Sequence, residues 1–327
     1  VNKIVTNIES AFRIEALSGV VLYGNITLYA LIIGIVLMIL TSLIVIGGLE
    51  RIAAFAEKVV PFMVVLFVLG SLVIIGKNYV NILPAFRAIF VNAFKPISAI
   101  GGGIGVLVST VITQGFKRGV FSNEAGLGSS VMVHSNSNVK EPVAQGMWGI
   151  FEVFADTMVV CTMTALVVLT SGIYDMTTGT LAEGVTDATL VATAFNSVFT
   201  LGNIGQKFIA IVMFLFAFTT VLGWSHYGTK AVEYLFGRRG VMVYKVIFVI
   251  MILSGGLMTS SLAWDISDTF NGLMMIPNLI GVISLSSLVY RITANYIDRI
   301  LKGKKVEPMY SAFPEYQAQE EAEEAAK

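Results

Sequence analysis

Gly101–Gly128 reads GGGIGVLVSTVITQGFKRGVFSNEAGLG, and the order of its residues decides the fold. An apolar, glycine-rich run leads straight into Lys117, Arg118, Asn123 and Glu124. Long apolar segments lie on both sides of it. Charges and irregular backbone at membrane depth are costly unless they line a cavity or are buried in protein. The expected architecture is a helix interrupted near Thr113, Gln114 and Gly115, with a binding site beside the interruption.

The rest of the chain is of the same kind. Of its 327 residues, 56% are apolar and 13% charged, and the mean hydropathy is +0.82. Soluble domains carry about 25% charged residues, so a soluble chain of this make-up would be nearly all core. Zero net charge removes any electrostatic basis for nucleic-acid binding. One cysteine, Cys161, excludes an internal disulfide and a cysteine-built zinc site. Two histidines, His134 and His226, are too few for a histidine metal centre. The glycines of 101–105 lack the lysine–serine/threonine pair of a phosphate loop and suit close helix packing. No nucleophile–base–orienter set is visible, so neither enzyme chemistry nor a cofactor is expected.

A bilayer core of about 30 Å takes roughly 20 helical residues. Runs of that order are Leu28–Gly48, Val59–Ile75, Pro96–Gly115, Ala144–Thr170, Phe208–Tyr227, Val246–Ser261 and Phe270–Tyr290. Ile4, Val5, Ile8 and Phe12 recur at helical spacing and read as the end of a further helix that begins upstream. Basic residues favour the cytoplasmic side. Lys230, Arg238, Arg239 and Lys245 fall between two spans, and Arg291, Arg299, Lys302, Lys304 and Lys305 follow the last. Both groups belong inside, together with Arg51, Lys58 and Lys140. The 173–206 loop, with Asp175, Glu183 and Asp187, belongs outside, while Lys77, Arg87 and Lys95 run against the rule. From Gly303 to Lys327 the chain is acidic and poor in apolar residues, which predicts a solvated, disordered cytoplasmic tail. Residues 1–302 form the transmembrane domain, and the protein is expected to be a multi-pass plasma-membrane protein surrounded by lipid.

GFKRGVFSNEAGLGSS (Gly115–Ser130) resembles the signature of the alanine/glycine:cation symporters, the sodium:alanine symporter family. FEVFADTMVVCTMTALVVLTSG (Phe151–Gly172), FAFTTVLGWSHYGTKAVEYLFG (Phe216–Gly237) and DISDTFNGLMMIPNLIGVISLS (Asp265–Ser286) are similar to its later blocks. The resemblance implies an all-α, LeuT-like fold of inverted repeats, here without helices 1 and 2 and starting near the end of helix 3. Leu28–Gly48 and Val59–Ile75 then correspond to helices 4 and 5, and the glycine-rich segment to helix 6. The implied activity is sodium-coupled symport of alanine, glycine or another small amino acid by alternating access. Proton coupling, or an ion channel or binding subunit, stands as the alternative.

A zwitterion needs donors for its carboxylate and acceptors for its ammonium. Thr113, Gln114 and Gly115 are the substrate-binding candidates: Gly115 frees the backbone, and the Gln114 amide both donates and accepts. A purely interhelical bond of Gln114 is the plainer reading. Na+ as coupling ion needs several hard oxygens. The resemblance places it at Thr219 and Thr220, whose hydroxyls otherwise bond their own i−4 carbonyls, with a carbonyl added by Ala217 or Phe216. Asp156 is an intramembrane acid and so a functional candidate, able to pair with Lys117 or Arg118, ligate a cation or carry a proton. Glu152, one turn earlier, is a like-charged neighbour for it. Arg118, Asn123 and Glu124 are gate or coupling candidates, with an Arg118–Glu124 ion pair as one way to offset their charge. His226 reads as an interface anchor. Asn271, Pro277 and Asn278 are expected to shape a kink in the last span, and Asp265 and Asp268 to precede it.

Overall fold

The computed structural model describes residues 1–24, 26–94, 104–186 and 189–325. Helices dominate it. In chain order the principal ones are α1 (Asn2–Ala11), α2 (Leu28–Val45), α3 (Leu49–Lys77), α4 (Ile82–Phe94), α5 (Ile104–Asn123) and α6 (Pro142–Val153). A π-helical stretch, Phe154–Cys161, joins α6 to α7 (Thr162–Thr170). Then come α8 (Leu190–Asn196), α9 (Ile204–Phe236), α10 (Arg238–Leu257), α11 (Ser260–Ser284), α12 (Ser286–Tyr296) and α13 (Pro314–Ala325). Short strands Val21–Tyr23 and Ile26–Thr27 pair antiparallel ahead of α2, where the Thr27 hydroxyl accepts the N–H of Ala30 and caps the helix.

Among the described residues, six helical stretches are long and apolar enough to cross a membrane: Leu28–Val45, Leu49–Lys77, Pro142–Thr170, Leu201–Phe236, Arg238–Leu257 and Ser260–Ser284. They answer to six of the expected spans, with ends displaced. Pro96–Gly115 begins among residues outside those described, as do Lys95 and Gly101–Gly103; Asp187 also lies outside them. The last two spans each start earlier than expected. The chain turns at Met258–Thr259, where the Thr259 hydroxyl accepts the N–H of Leu262. Asp265 and Asp268 therefore lie inside α11 rather than ahead of it. Apolar side chains such as Phe270, Leu273, Ile276, Ile280 and Ile283 remain exposed along α11. A helix this apolar and this open belongs in lipid, where exposing such a face costs nothing.

The chain divides into two compact units, 1–112 with 160–267, and 113–159 with 268–327. The first holds the larger cores. Ile4 and Val5 of α1 pack with Ile33 and Leu37 of α2, Phe218 and Leu222 of α9, and Ile252 of α10. Glycine sets the spacing of α2 and α10: a Cβ on Gly34 would sit 2.9 Å from Leu253 Cδ1. Small residues let membrane helices approach in this way. A second core joins Phe67 and Ile74 of α3 to Val167, Phe195, Ile209 and Val212. His226, expected at an interface, is instead buried within α9.

In the second unit the acidic tail departs from the featureless segment expected. It carries α13, which opens with Pro314 and Glu315, residues suited to a helix N-terminus. The Gln317 carbonyl accepts the N–H groups of Tyr310 (2.8 Å) and Ser311 (2.9 Å), and its amide donates to the Pro308 carbonyl at 2.7 Å. Arg299 donates to Glu141 at 2.6 Å, and Lys140 lies 3.4 Å from Glu320. Hydrogen bonds from Lys302 and Lys304 hold the Asp298 carboxyl below the ordinary carboxylate range.

Candidate functional site

The polar residues after the glycine-rich run are carried by α5. Residues from Ile104 to Asn123 form one unbroken helix, so the interruption expected at Thr113–Gly115 is not there. A single glycine costs a helix about 1 kcal/mol, too little to break a ladder of i→i−4 bonds by itself. Thr113, Gln114 and Gly115 lie on exposed turns of α5. Among the described residues, a Cβ added at Gly115 or Gly119 would meet nothing within 4 Å, so one face of the helix is open to them. Helical geometry ends ten residues after Thr113, where Glu124, Gly126 and Gly128 take positive φ values of 51°, 79° and 77°.

Each polar group near this end has a partner within its own unit. Arg118 donates through one terminal nitrogen to both carboxylate oxygens of Asp268, at 2.9 and 3.2 Å, and Lys117 lies 3.6 Å from the same carboxylate. The Arg118–Glu124 pair is not formed. Six residues along a helix is roughly 600° of rotation, which sends the two side chains to different faces. Glu124 accepts instead from the Ser129 hydroxyl at 2.6 Å. Asp156 is half-buried and pairs with neither Lys117 nor Arg118; it accepts from the Ser122 hydroxyl. Beside that contact, Thr157 donates to the Asn123 amide oxygen at 2.9 Å. Glu152 faces away from Asp156 to His134, 3.2 Å from its Nε2, while Gln145 meets the other ring nitrogen at 2.8 Å.

Asp156 and Thr157 sit in the π-helical stretch Phe154–Cys161. Such widenings of an α-helix gather at functional positions, because the altered pitch re-aims side chains. Here it sets two adjacent residues against Ser122 and Asn123, in two parallel hydrogen bonds between neighbouring helices. The oxygens of Ser122, Asn123, Asp156 and Thr157 make an oxygen-rich cluster with one carboxyl group, the kind of donor set that suits a hard cation.

The expected sodium residues belong to the other unit. On α9, the Thr219 hydroxyl donates to the carbonyls of Leu215 (3.0 Å) and Phe216 (2.9 Å), and the Thr220 hydroxyl to Phe216 at 2.9 Å. Ala217 is half-buried at the edge of the larger core. A hydroxyl that donates its proton still keeps lone pairs for a cation. Thus Arg118, Asn123, Glu124 and Asp156 are gathered at one end of α5, whereas Ala217, Thr219 and Thr220 form a separate group. Sequence reasoning missed Asp268 as the partner of Arg118. It also misjudged Asn278, which donates to the Gly126 carbonyl at 2.9 Å rather than healing a kink in its own helix. The turn falls in the signature block, at Glu124, Gly126 and Gly128, and nothing local marked its partner on α11.

Comparison with known proteins gives the same family signal across most of the length. Residues 1–310 match the model of the "Sodium:alanine symporter family". The chain is 40% identical over 269 residues to "Sodium/alanine symporter AgcS" of Methanococcus maripaludis, covering 81% of this chain and 56% of that protein. It is 31% identical over 306 residues to "Amino-acid carrier protein AlsT" of Bacillus subtilis, covering 93% and 62%. It is 33% identical over 275 residues to "Probable sodium/glutamine symporter GlnT" of the same organism, covering 84% and 55%. The chain therefore spans a little over half the length of these relatives.

Proposed function

The chain belongs to the sodium:alanine symporter family, and on that footing we propose that it carries a small amino acid, alanine or glycine, inward together with Na+. The family is one of symporters, not of enzymes. The match over residues 1–310 carries this reading. The polar cluster at the end of α5, held among helices of membrane-crossing length, fits it physically. In our reading the arrangement is LeuT-like, the C-terminus is cytoplasmic, and transport proceeds by alternating access.

Thr113, Gln114 and Gly115 are the proposed substrate contacts. With α5 unbroken there, contact falls to the Thr113 hydroxyl, the Gln114 amide and the open face at Gly115. Freed main-chain dipoles play no part at that position. Ala217, Thr219 and Thr220 are the proposed sodium contacts. Asp156, Arg118, Asn123 and Glu124 are the proposed coupling residues: Asp156 and Asn123 hold partners on a neighbouring helix that a change in helix position would disturb, while Arg118 and Glu124 fix α5 and the turn that follows it. A relative named as a sodium/glutamine symporter favours a second substrate reading, a neutral amino acid with an amide side chain.

Uptake of radiolabelled alanine by the full chain in proteoliposomes tests the proposal. Saturable uptake under an inward sodium gradient, competed by glycine, is expected. Strong competition by glutamine and none by glycine selects the second reading. Equal flux with and without the gradient contradicts symport.

A further inference from the structure

The turn after α5 lies against Met275, Asn278 and Leu279 of α11, and Asn278 supplies a hydrogen bond to it. Asn278 donates to the Gly126 carbonyl at 2.9 Å. Its other amide atom fills the space beside Gly128: a Cβ there would lie 2.5 Å from Asn278 Oδ1 and 3.3 Å from Asn278 Cβ. Gly128 also has φ +77°, so side chains are disfavoured there twice over. The turn is closed internally by Ser129, which is fully buried and donates to Glu124 at 2.6 Å. Leu127 is 4% exposed between these contacts. Further along the same two helices, Arg118 binds Asp268. Two attachments, ten residues apart on α11, leave little freedom for α5 to slide along it.

We infer that Asn278 is a positioning residue, which keeps the Glu124–Ser129 turn fixed to α11 so that the two travel as one piece through the transport cycle. The part of this concerning transport rests on the symport reading above. A residue that only filled space would not need an amide donor aimed at a turn carbonyl. A residue that bound substrate would not have its amide donor taken by the Gly126 carbonyl and its amide oxygen packed beside Gly128.

Two experiments on the full chain test it. The first is Asn278→Ala. Losing one hydrogen bond to a docked turn should speed hydrogen exchange at amides 124–130 roughly tenfold. It should lower the maximal transport rate while leaving the half-saturating alanine concentration within about twofold. Unchanged exchange, or a raised half-saturating concentration at an undiminished rate, overturns the proposal. The second joins the pieces covalently, with Gly128→Cys and Asn278→Cys. Their Cβ separation of about 3.3 Å is near that of a disulfide. The oxidised protein should carry alanine at least as fast as the reduced protein, which has lost the Asn278 hydrogen bond. Transport lost on oxidation and regained on reduction shows that the turn and α11 separate, and overturns the proposal. If the unmodified chain carries no amino acid, the symport reading fails alone, and the exchange measurement still decides whether Asn278 holds the turn.

Discussion

At the scale of single residues, the site depends on short polar side chains with limited reach. Gln114 is on an open face of α5, where its amide can serve both ends of a zwitterion. Gln114→Ala should therefore raise the half-saturating alanine concentration about tenfold or more, as expected for one hydrogen bond to a charged group. Expression and thermal stability should not change, and uptake kinetics check both halves of the statement. The hydroxyls of Thr219 and Thr220 lean back on carbonyls of their own helix. Replacing both by valine removes oxygens and keeps shape. The sodium concentration for half-maximal uptake should rise about tenfold, with alanine affinity at saturating sodium unchanged. A sodium curve that does not move removes these residues from the coupling site. Asp156 was legible as a polar residue in an apolar span. Its partner was not, because the Ser122 contact depends on how a π-helical turn faces a neighbouring helix.

Among elements, hydropathy located the helices and said little about their ends. Leu28–Val45 follows from apolar length alone, and so does the presence, though not the start, of Arg238–Leu257. The start of α11 did not, because Thr259 caps it two turns ahead of Asp268 and draws polar residues into the helix. Gly115 suggested a break, yet main-chain bonding outweighs one glycine, and the helix yields only where Glu124, Gly126 and Gly128 turn left-handed together. Close packing of α2 on α10 at Gly34 carries its own prediction. Gly34→Val pushes a branched side chain into Leu253. Overpacking of that kind costs about 1–3 kcal/mol, read as a fall in the melting temperature of the detergent-solubilised protein. An unchanged melting temperature means that the two helices have room to part.

For the whole molecule, composition decided the class, the signature block decided the family, and neither fixed how the charged groups pair. Arg118 with Asp268 and Asn278 with Gly126 join residues about 150 positions apart. No local periodicity reports such a contact, so three-dimensional packing supplied it. Coupling of the two solutes is the central claim, and coupling is reciprocal: if sodium drives alanine, alanine must drive sodium. The direct measurement is entry of radiolabelled sodium into proteoliposomes holding the full chain, with equal sodium on both sides and alanine added outside only. The account predicts sodium accumulation that saturates with alanine and vanishes when alanine is equal on both sides. Alanine entry with no accompanying sodium would contradict it.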